Sequence, residues 1–474
     1  MIQNWLEIVP AADQTIVIQE KLPRELETLR SQIWYRGDAS ELHQFFGQLP
    51  FNSGSFWACA PNTNKVRKIH SGIPAVIVDT LAYIVKSDLD KVKTDSKEWE
   101  EISQSIDFLN LTGKAVADTL VDGDGAFKIS VDTSLSPYPI VEFVGGDMVD
   151  FEISRGILAA IVFKTVFTVK SRKFVLHERY GSGFIESRLY DSNGNERPLS
   201  TVPELTEISE IVKFDGDHIM AVPLKFYDSK KYYGRGKSIF DGGKSDCFDA
   251  LDEVISQWWD ALRMGRVKQY IPESMIPRDP ENGGLKSPNR FGNDYISTDT
   301  PLQEGVAPKI EVVQPEIKYE AFVSSYTNAL LMCLQGLVSP ATLGIDVGKM
   351  SSADAQREKK DVTGNTRNTI TTALEKALPE LIEAILKTYD NIQGKAPGNY
   401  NASVDFGEYG APDFDSRVET VGKAGTYGVM SVETQVEELW GSSKDKEWKE
   451  DEVQRIKSEK GLLTVEEPSV GGKP

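Results

Sequence analysis

The chain has 474 residues, is 40% hydrophobic, and carries 72 acidic against 53 basic residues for a formal net charge of −19. That length allows two to four domains with substantial cores, and the acidic balance excludes non-specific attachment to nucleic acid or anionic membrane, which needs clustered Lys and Arg. Three scattered cysteines, Cys59, Cys247 and Cys333, argue against a disulfide framework and for a reducing compartment.

The first 60 residues are aromatic-rich and read as helical, with no basic region followed by an apolar run that would mark a signal peptide. Helices are predicted over 75–87, after Pro74, and over 98–120. The string VDGDGAFKI then turns the chain into a strand, through Asp122-Gly123 and Asp124-Gly125. From 138 to 215 the pattern becomes antiparallel β: YPIVEFV, ILAAIVFKTVFTV, KFVLHERY and FIESRLY, with Asn193-Gly194 as a two-residue hairpin signal.

Two segments of equal length follow, 245–267 and 316–338. The first opens with Ser245 as N-cap and places Phe248, Leu251, Ile255, Trp258, Trp259 and Leu262 on a broad apolar face. Its acids come early and its Arg and Lys late, matching the helix dipole. The second carries no charge from Ala321 to Val338, but its apolar residues recur at helical spacing, so a packed helix is expected rather than a membrane span. Between them lie seven prolines, from Pro272 to Pro315, which no long helix survives. Short strands are expected at 268–271 and 309–313. Two matched rods with a small appendage at the tip are the plan of a stem, which suits a ring or channel better than a catalytic pocket.

After Ser339-Pro340 comes the loop ATLGIDVGKM, then a capping-box pattern of Ser351 with Asp354, and a long helix to about 391 that Pro379 is expected to kink or split. Ten residues is slightly long for a plain helix connection, which modestly favours a functional loop. A strand is expected at 403–408 and polar helices thereafter, with 464–474 disordered. The fold class is α+β, mainly helical.

Candidate chemistry is thin. GRGKS (234–238) and GGKS (242–245) imitate a phosphate loop, but the Gly required five positions before the Gly-Lys pair is Lys231 in one and Ser238 in the other. DGDG (122–125) lacks the remaining acidic ligands of a calcium loop, so a hairpin turn is the better reading. The four histidines are scattered, with no HExxH and no nucleophile elbow. Neither catalysis nor a cofactor or metal has positive support.

Several strings occur in a telling order: WYRGD at 34–38, KIHSGIPAVIVDTLA at 68–82, TLVDGDGAFKIS at 119–130, and YYGRGKSIFDGGKSDCF continuing to 276. LGIDVGKMSSADAQREKKDVTGNTRNTI at 343–370 and MSVETQVEELW at 430–440 complete the set. Over roughly residues 30–460 this order resembles phage portal proteins of the type found in siphophages of Gram-positive bacteria. The resemblance implies a non-enzymatic subunit of a twelve-fold ring at one capsid vertex of the virion, assembled in the host cytoplasm, through which double-stranded DNA passes without sequence recognition. Implied partners are the terminase large subunit, a head-completion adaptor, and the major capsid and scaffolding proteins, with no membrane. The alternatives are an ATP-dependent, terminase-like packaging enzyme, against which the failed phosphate loops count, and a helical adaptor unrelated to phage.

By the same resemblance, residues 1–244 and 351–411 form a wing, 245–267 and 316–340 the stem, 268–315 a clip, 341–350 a tunnel loop, and 412–474 a crown with its tail. The tunnel loop would present Thr342, Leu343, Ile345, Asp346, Val347, Lys349 and Met350 to the channel, Lys349 offering a transient phosphate contact. Asp246, Asp249, Asp252, Glu253 and Asp260 are expected to line the channel, because an acidic lumen repels phosphate and lets a duplex slide. Trp258, Trp259, Tyr326 and Leu330 are expected at the subunit interface, since large apolar side chains dominate interface energetics; packing of the tryptophans within one subunit is the alternative. In the clip, Glu273, Arg278, Asp279, Lys286, Arg290 and Asp294 are expected to dock terminase and adaptor.

Overall fold

The first elements are strands rather than helices: β1 (Asn4–Ile8) and β2 (Ile16–Gln19) pair antiparallel. Helices α1 (Arg24–Arg36) and α2 (Ala39–Gln48) follow, separated by Gly37 in the left-handed region and by Asp38, whose side chain caps α2. Helix α3 (Ile73–Asp88) buries Ile77, Val78, Leu81 and Val85 along one stripe. After β3 (Leu89–Thr94), the helix expected over 98–120 is broken into α4 (Trp99–Ser105) and α5 (Phe108–Asp122). The break is at Asp107, which adopts φ 48°, a conformation Asp tolerates better than most residues. Trp99 and Phe108 pack edge to face across the corner at 5.2 Å.

The β region is larger than the sequence indicates. Strands β4 (Asp124–Ser130), β5 (Ile140–Gly145), β6 (Val149–Ser154), β7 (Ile157–Val169), β8 (Arg172–Gly181), β9 (Phe184–Asp191), β10 (Glu196–Arg197), β11 (Ile211–Lys213) and β12 (Ala221–Lys225) form two antiparallel sheets. One runs β10-β9-β8-β7-β6 with β11 also on β9; the other runs β12-β4-β5. Asn193-Gly194 lies in the reversal between β9 and β10, but the connection is four residues long, 192–195, rather than the two expected, and of the pair Gly194 alone is at positive φ, 80°. The DGDG string is a helix-to-strand corner rather than a hairpin, since α5 ends at Asp122 and β4 begins at Asp124. Phe174, Leu176 and Leu189 of the larger sheet form a satellite core with Leu199, Val202 and Leu205.

Helix α6 (Lys244–Met264) leads into β13 (Lys268–Pro272), which is flanked by β14 (Tyr295–Thr298), parallel, and β15 (Glu311–Val313), antiparallel. Helix α7 (Tyr319–Leu334) returns beside α6. It has 16 residues against the 23 expected from the sequence. Lys318 stays outside the helical region, and at the other end Gln335 leaves helical geometry (ψ 124°) with Gly336 at φ 74° behind it, yet Leu337 and Val338 remain buried. Their apolar spacing reported burial, not helix.

Helix α8 (Ala353–Ile392) is a single 40-residue helix that continues through Pro379, so the proline does not split it. It packs on α3, on β12, and on β16 (Ala402–Phe406), which pairs with β3. A second compact unit, Glu408–Pro474, holds α9 (Phe414–Thr426), α10 (Val432–Trp440) and α11 (Lys446–Glu459). Ser431 caps α10 through the Thr434 amide. This computed structural model describes residues 4–8, 16–19, 22–49, 54–59, 66–276, 278, 280, 283–284, 295–299, 309–345, 353–407, 414–441 and 444–459. The Ser351 capping pattern and the 464–474 tail lie outside them. Among the described residues no helix is long and apolar enough to cross a membrane.

Candidate functional site

Helices α6 and α7 form an antiparallel hairpin, fixed at both ends. At the tip, β13 and β15 pair, and Gly265 lies close against Ile317, whose Cδ1 would be 2.5 Å from a Cβ placed there, so a larger residue would require the Ile317 side chain to shift. At the base, Lys244 Nζ donates to the carbonyls of Met332 (2.7 Å), Cys333 (3.2 Å) and Gln335 (2.7 Å) at the C-terminus of α7. A cation there satisfies carbonyls that the helix cannot, and complements its dipole. The lysine of GGKS is therefore committed to a helix end, not to a nucleotide phosphate. Between the ends, Trp258 lies parallel to Phe322 (centroids 6.2 Å, planes 4° apart) and against Tyr326.

The hairpin is tied to the body by the N-terminal half of α6. Asp252, wholly buried, accepts from Trp57 Nε1 (3.1 Å), His70 Nδ1 (2.7 Å) and the Ser71 amide (2.8 Å). Asp249 accepts from the amides of Phe56 (2.7 Å) and Trp57 (3.1 Å), and Ser256 Oγ accepts from the Ile69 amide (2.9 Å). Ser245 is not the N-cap, which is Gly243; its hydroxyl accepts from Trp34 Nε1 at 2.9 Å. Lys68 Nζ binds the carbonyls of Phe56, Trp57 and Cys59 and lies over the Phe56 and Trp57 rings.

Five channel acids were expected, and two are excluded. Asp252 is buried and Asp249 has both oxygens engaged by backbone amides, so each is a tie between stem and body. Their spacing on the helix is indistinguishable from that of surface acids; only the partners at 55–71 reveal them. Asp246, Glu253 and Asp260 stay at least partly exposed. Of the expected interface residues, Leu330 is 1% exposed in the core, and Trp258 and Tyr326 pack on each other inside the hairpin. Trp259 alone is 55% exposed.

In the 341–350 loop, Thr342 is bonded to Ser339 and to Thr363 of α8 (3.0 Å), and Leu343 and Ile345 pack partly against the core. This half of the loop is docked, not projecting. Asp346, Val347, Lys349 and Met350 lie outside the described residues. In the proline-rich segment Glu273 and Arg278 are exposed and pair with each other at 3.2 Å, while Asp279, Lys286, Arg290 and Asp294 lie outside the described residues.

The two strings that imitate nucleotide and calcium loops turn out to be partners. Asp124, of DGDG, is wholly buried and accepts from Arg235 Nε (3.0 Å) and Nη2 (2.9 Å), from the Gly236 amide (2.6 Å) and from Arg24 Nη2 (2.7 Å). Arg235 also reaches the carbonyls of Val149 and Gly146, and stacks over Phe151 at 4.8 Å. A Cβ on Gly236 would lie 2.0 Å from the Gly123 carbonyl oxygen, and Gly123 itself is at φ 93°. The glycines permit backbone-to-backbone contact between the strings; no phosphate or cation is required to explain them.

Asp122, beside this cluster, titrates at about 7: burial raises it first and the charge of Asp147 second, with the Gln32 side-chain hydrogen bond opposing. The folded state therefore holds a proton that the unfolded chain releases between its ordinary value of 3.8 and about 7. Stability from this group is complete below that window and falls as pH rises through it. Asp122→Asn is expected to be more stable than the parent at pH 8, by up to ~4 kcal/mol, and equal to it at pH 4. Urea midpoints at the two pH values check this; a constant difference would rule it out.

A family model described as "Phage portal protein, SPP1 Gp6-like" matches residues 190–461, more than half of the chain. The chain belongs to this portal family. The match spans the hairpin, its tip and the long helix α8, the parts built above. No curated protein matches the sequence. Among solved structures, the virion of a native gene transfer agent particle is 11% identical, with TM-score 0.40, covering 91% of this chain and 94% of that one. The neck of the native particle, computed with C12 symmetry, is 12% identical with TM-score 0.42 over 78% and 91% of the chains. The neck of the empty particle, computed with C6 symmetry, is 13% identical with TM-score 0.38 over 78% and 90%. The protein is thus a structural portal protein with an α+β, mainly helical subunit.

Proposed function

We propose that twelve copies of this subunit form a ring at one vertex of a phage capsid, and that double-stranded DNA enters and leaves through its axis. The observation that carries this reading is the α6–α7 hairpin: two helices locked antiparallel, hung from the body by Asp249, Asp252 and Ser256, with a small sheet at the tip. Such a rod gives a rigid wall segment. Body, hairpin, tip and terminal helical unit serve as wing, stem, clip and crown. The order of the strings quoted above supports a siphophage of Gram-positive hosts as the source. The tip docks the terminase during packaging and an adaptor afterwards, with Glu273 and Arg278 on its exposed surface. ATP hydrolysis is left to the terminase, in keeping with the engagement of Lys244 by carbonyls.

Twelve chains of −19 bring a formal charge of −228 into one assembly. Screening shortens the range of that repulsion, so ring formation is expected to increase with salt or divalent cations. Negative-stain microscopy with mass photometry across ionic strengths checks both points. Rings with a central hole, at ten to fourteen times the 52.6 kDa chain mass, are expected. A monomer or dimer under every condition would overturn the reading.

A further inference from the structure

One surface of the stem is left unexplained by the hairpin and its ties. A groove of about 490 Å³ lies where α6 leaves the body, lined by Arg67, Ile69, Trp259, Leu262, Arg263 and Arg266. Its three arginines are exposed, and none forms an ion pair among the described residues. Trp259 is 55% and Leu262 44% exposed beside them. Three exposed guanidinium groups around an exposed indole make a locally basic, partly apolar patch on a chain of net charge −19, and its chemistry suits an acidic surface with an apolar component.

The same helix carries the complement. Glu253 and Asp260 are seven residues apart, so at about 100° per residue they fall on one line of α6. That line is turned by about 100° from the line of Trp259, Arg263 and Arg266, which continues the body-facing side of Asp252 and Ser256. Neither acid forms an ion pair among the described residues; Glu253 only accepts a hydrogen bond from Gln257, one turn on. Asp260 also stands at the level of the groove, since three residues separate it from Arg263, about 4.5 Å of helix rise.

We propose that the arginine groove of one copy receives the Glu253–Asp260 edge of α6 from the next copy. A patch that meets a different patch on an identical chain makes a heterologous contact, which propagates in one direction and yields a ring when the rotation between copies closes. Rotation about a ring axis adds no rise between copies, so elements at one level stay at that level and Asp260 meets the groove. Each seam sets guanidinium groups against carboxylates, with Trp259 and Leu262 as the apolar floor, and locally offsets the repulsion between acidic subunits. The assignment places these acids in the subunit seam rather than on the lumen wall. It rests on the ring reading given above.

The test uses the full chain under conditions in which the parent forms rings. Arg263→Glu with Arg266→Glu is expected to raise the concentration for half-assembly by roughly tenfold or more, because like charges then face each other. Thermal midpoints should stay at the parent value, since both side chains are exposed. Adding Glu253→Arg and Asp260→Arg to the same chain is expected to restore rings. If the double variant assembles as the parent does, the seam is wrong while the ring stands. If it fails to assemble and the fourfold exchange does not restore rings at an unchanged midpoint, the pairing is overturned. If rings persist but hold duplex DNA less well, the groove contacts phosphate and the proposal fails. A parent protein that forms no ring would sink the underlying reading instead.

Discussion

Asp124→Ala is expected to leave the body of the subunit unfolded or close to it. The carboxylate is wholly buried and is the common acceptor for Arg24, Arg235 and the Gly236 amide. Removing it leaves the buried Arg235 guanidinium with Asp150 as its remaining carboxylate partner and deprives the partly buried Arg24 of its own. Breaking a buried ion pair from one side costs about 3–5 kcal/mol, and the lost amide acceptor adds to that. A domain's whole stability is about 5–15 kcal/mol, so the variant should accumulate in the insoluble fraction or lose most of its urea resistance. Arg24→Ala is expected to cost less, because Arg235 still compensates Asp124 through two nitrogens. A double cycle of Asp124 and Arg235 should show strong coupling, since the two losses share one interaction. An Asp124→Ala protein within ~1 kcal/mol of the parent would refute this account of the cluster.

Asp252→Ala is expected to loosen the stem from the body. It removes the acceptor for the Trp57 indole, the His70 ring and the Ser71 amide together. Each buried donor left unpaired costs about 1–3 kcal/mol. Trp57 is wholly buried, so its fluorescence should shift to the red as water reaches the indole. Asp252→Asn keeps an accepting oxygen and should lose less than half as much. Urea unfolding followed by tryptophan emission reads both effects. A variant with parental emission and midpoint would show that the hairpin stays attached without this hub. A detached stem has no fixed angle to the body, so ring yield should fall in parallel.

The hairpin plan was legible because it depends on local signals. A broad apolar stripe and charges sorted along the dipole marked α6 to within a few residues at either end. Spaced prolines marked the tip, and β13 and β15 formed where strands were expected. Asn193-Gly194 marked the place of a chain reversal, though the connection is longer than the pair and Gly194 alone of the two takes positive φ. The errors share a different cause. The length of α7 was overstated because Leu337 and Val338 are buried outside a helix, and periodicity reads burial first. Asp107, at φ 48°, broke a helix that the sequence pattern continued, and Trp99 and Phe108 pack against each other across the resulting corner. Pro379 left α8 whole.

Function residues show the same division more sharply. Asp246, Asp249, Asp252, Glu253 and Asp260 are alike in sequence, and the fold gives them different work: two hold backbone amides and an indole of the body, while Glu253 and Asp260 face outward along one line. Likewise DGDG and GRGKS, read singly, resemble a cation loop and a phosphate loop. Their meaning appears only when Asp124 meets Arg235, 111 residues later in the chain. By itself the sequence determined the class of the molecule: an acidic, mainly helical chain without catalytic spacing, with a paired-helix stem and a proline-rich tip in portal order. Helical periodicity, proline and turn chemistry act within a few residues, so a single chain displays them openly. Which acids are ties, which lysine caps a helix, and which arginines remain unpaired was decided by tertiary structure alone. Burial and hydrogen-bond partners are set by segments far apart in sequence, and a carboxylate carries no local mark of where it will end.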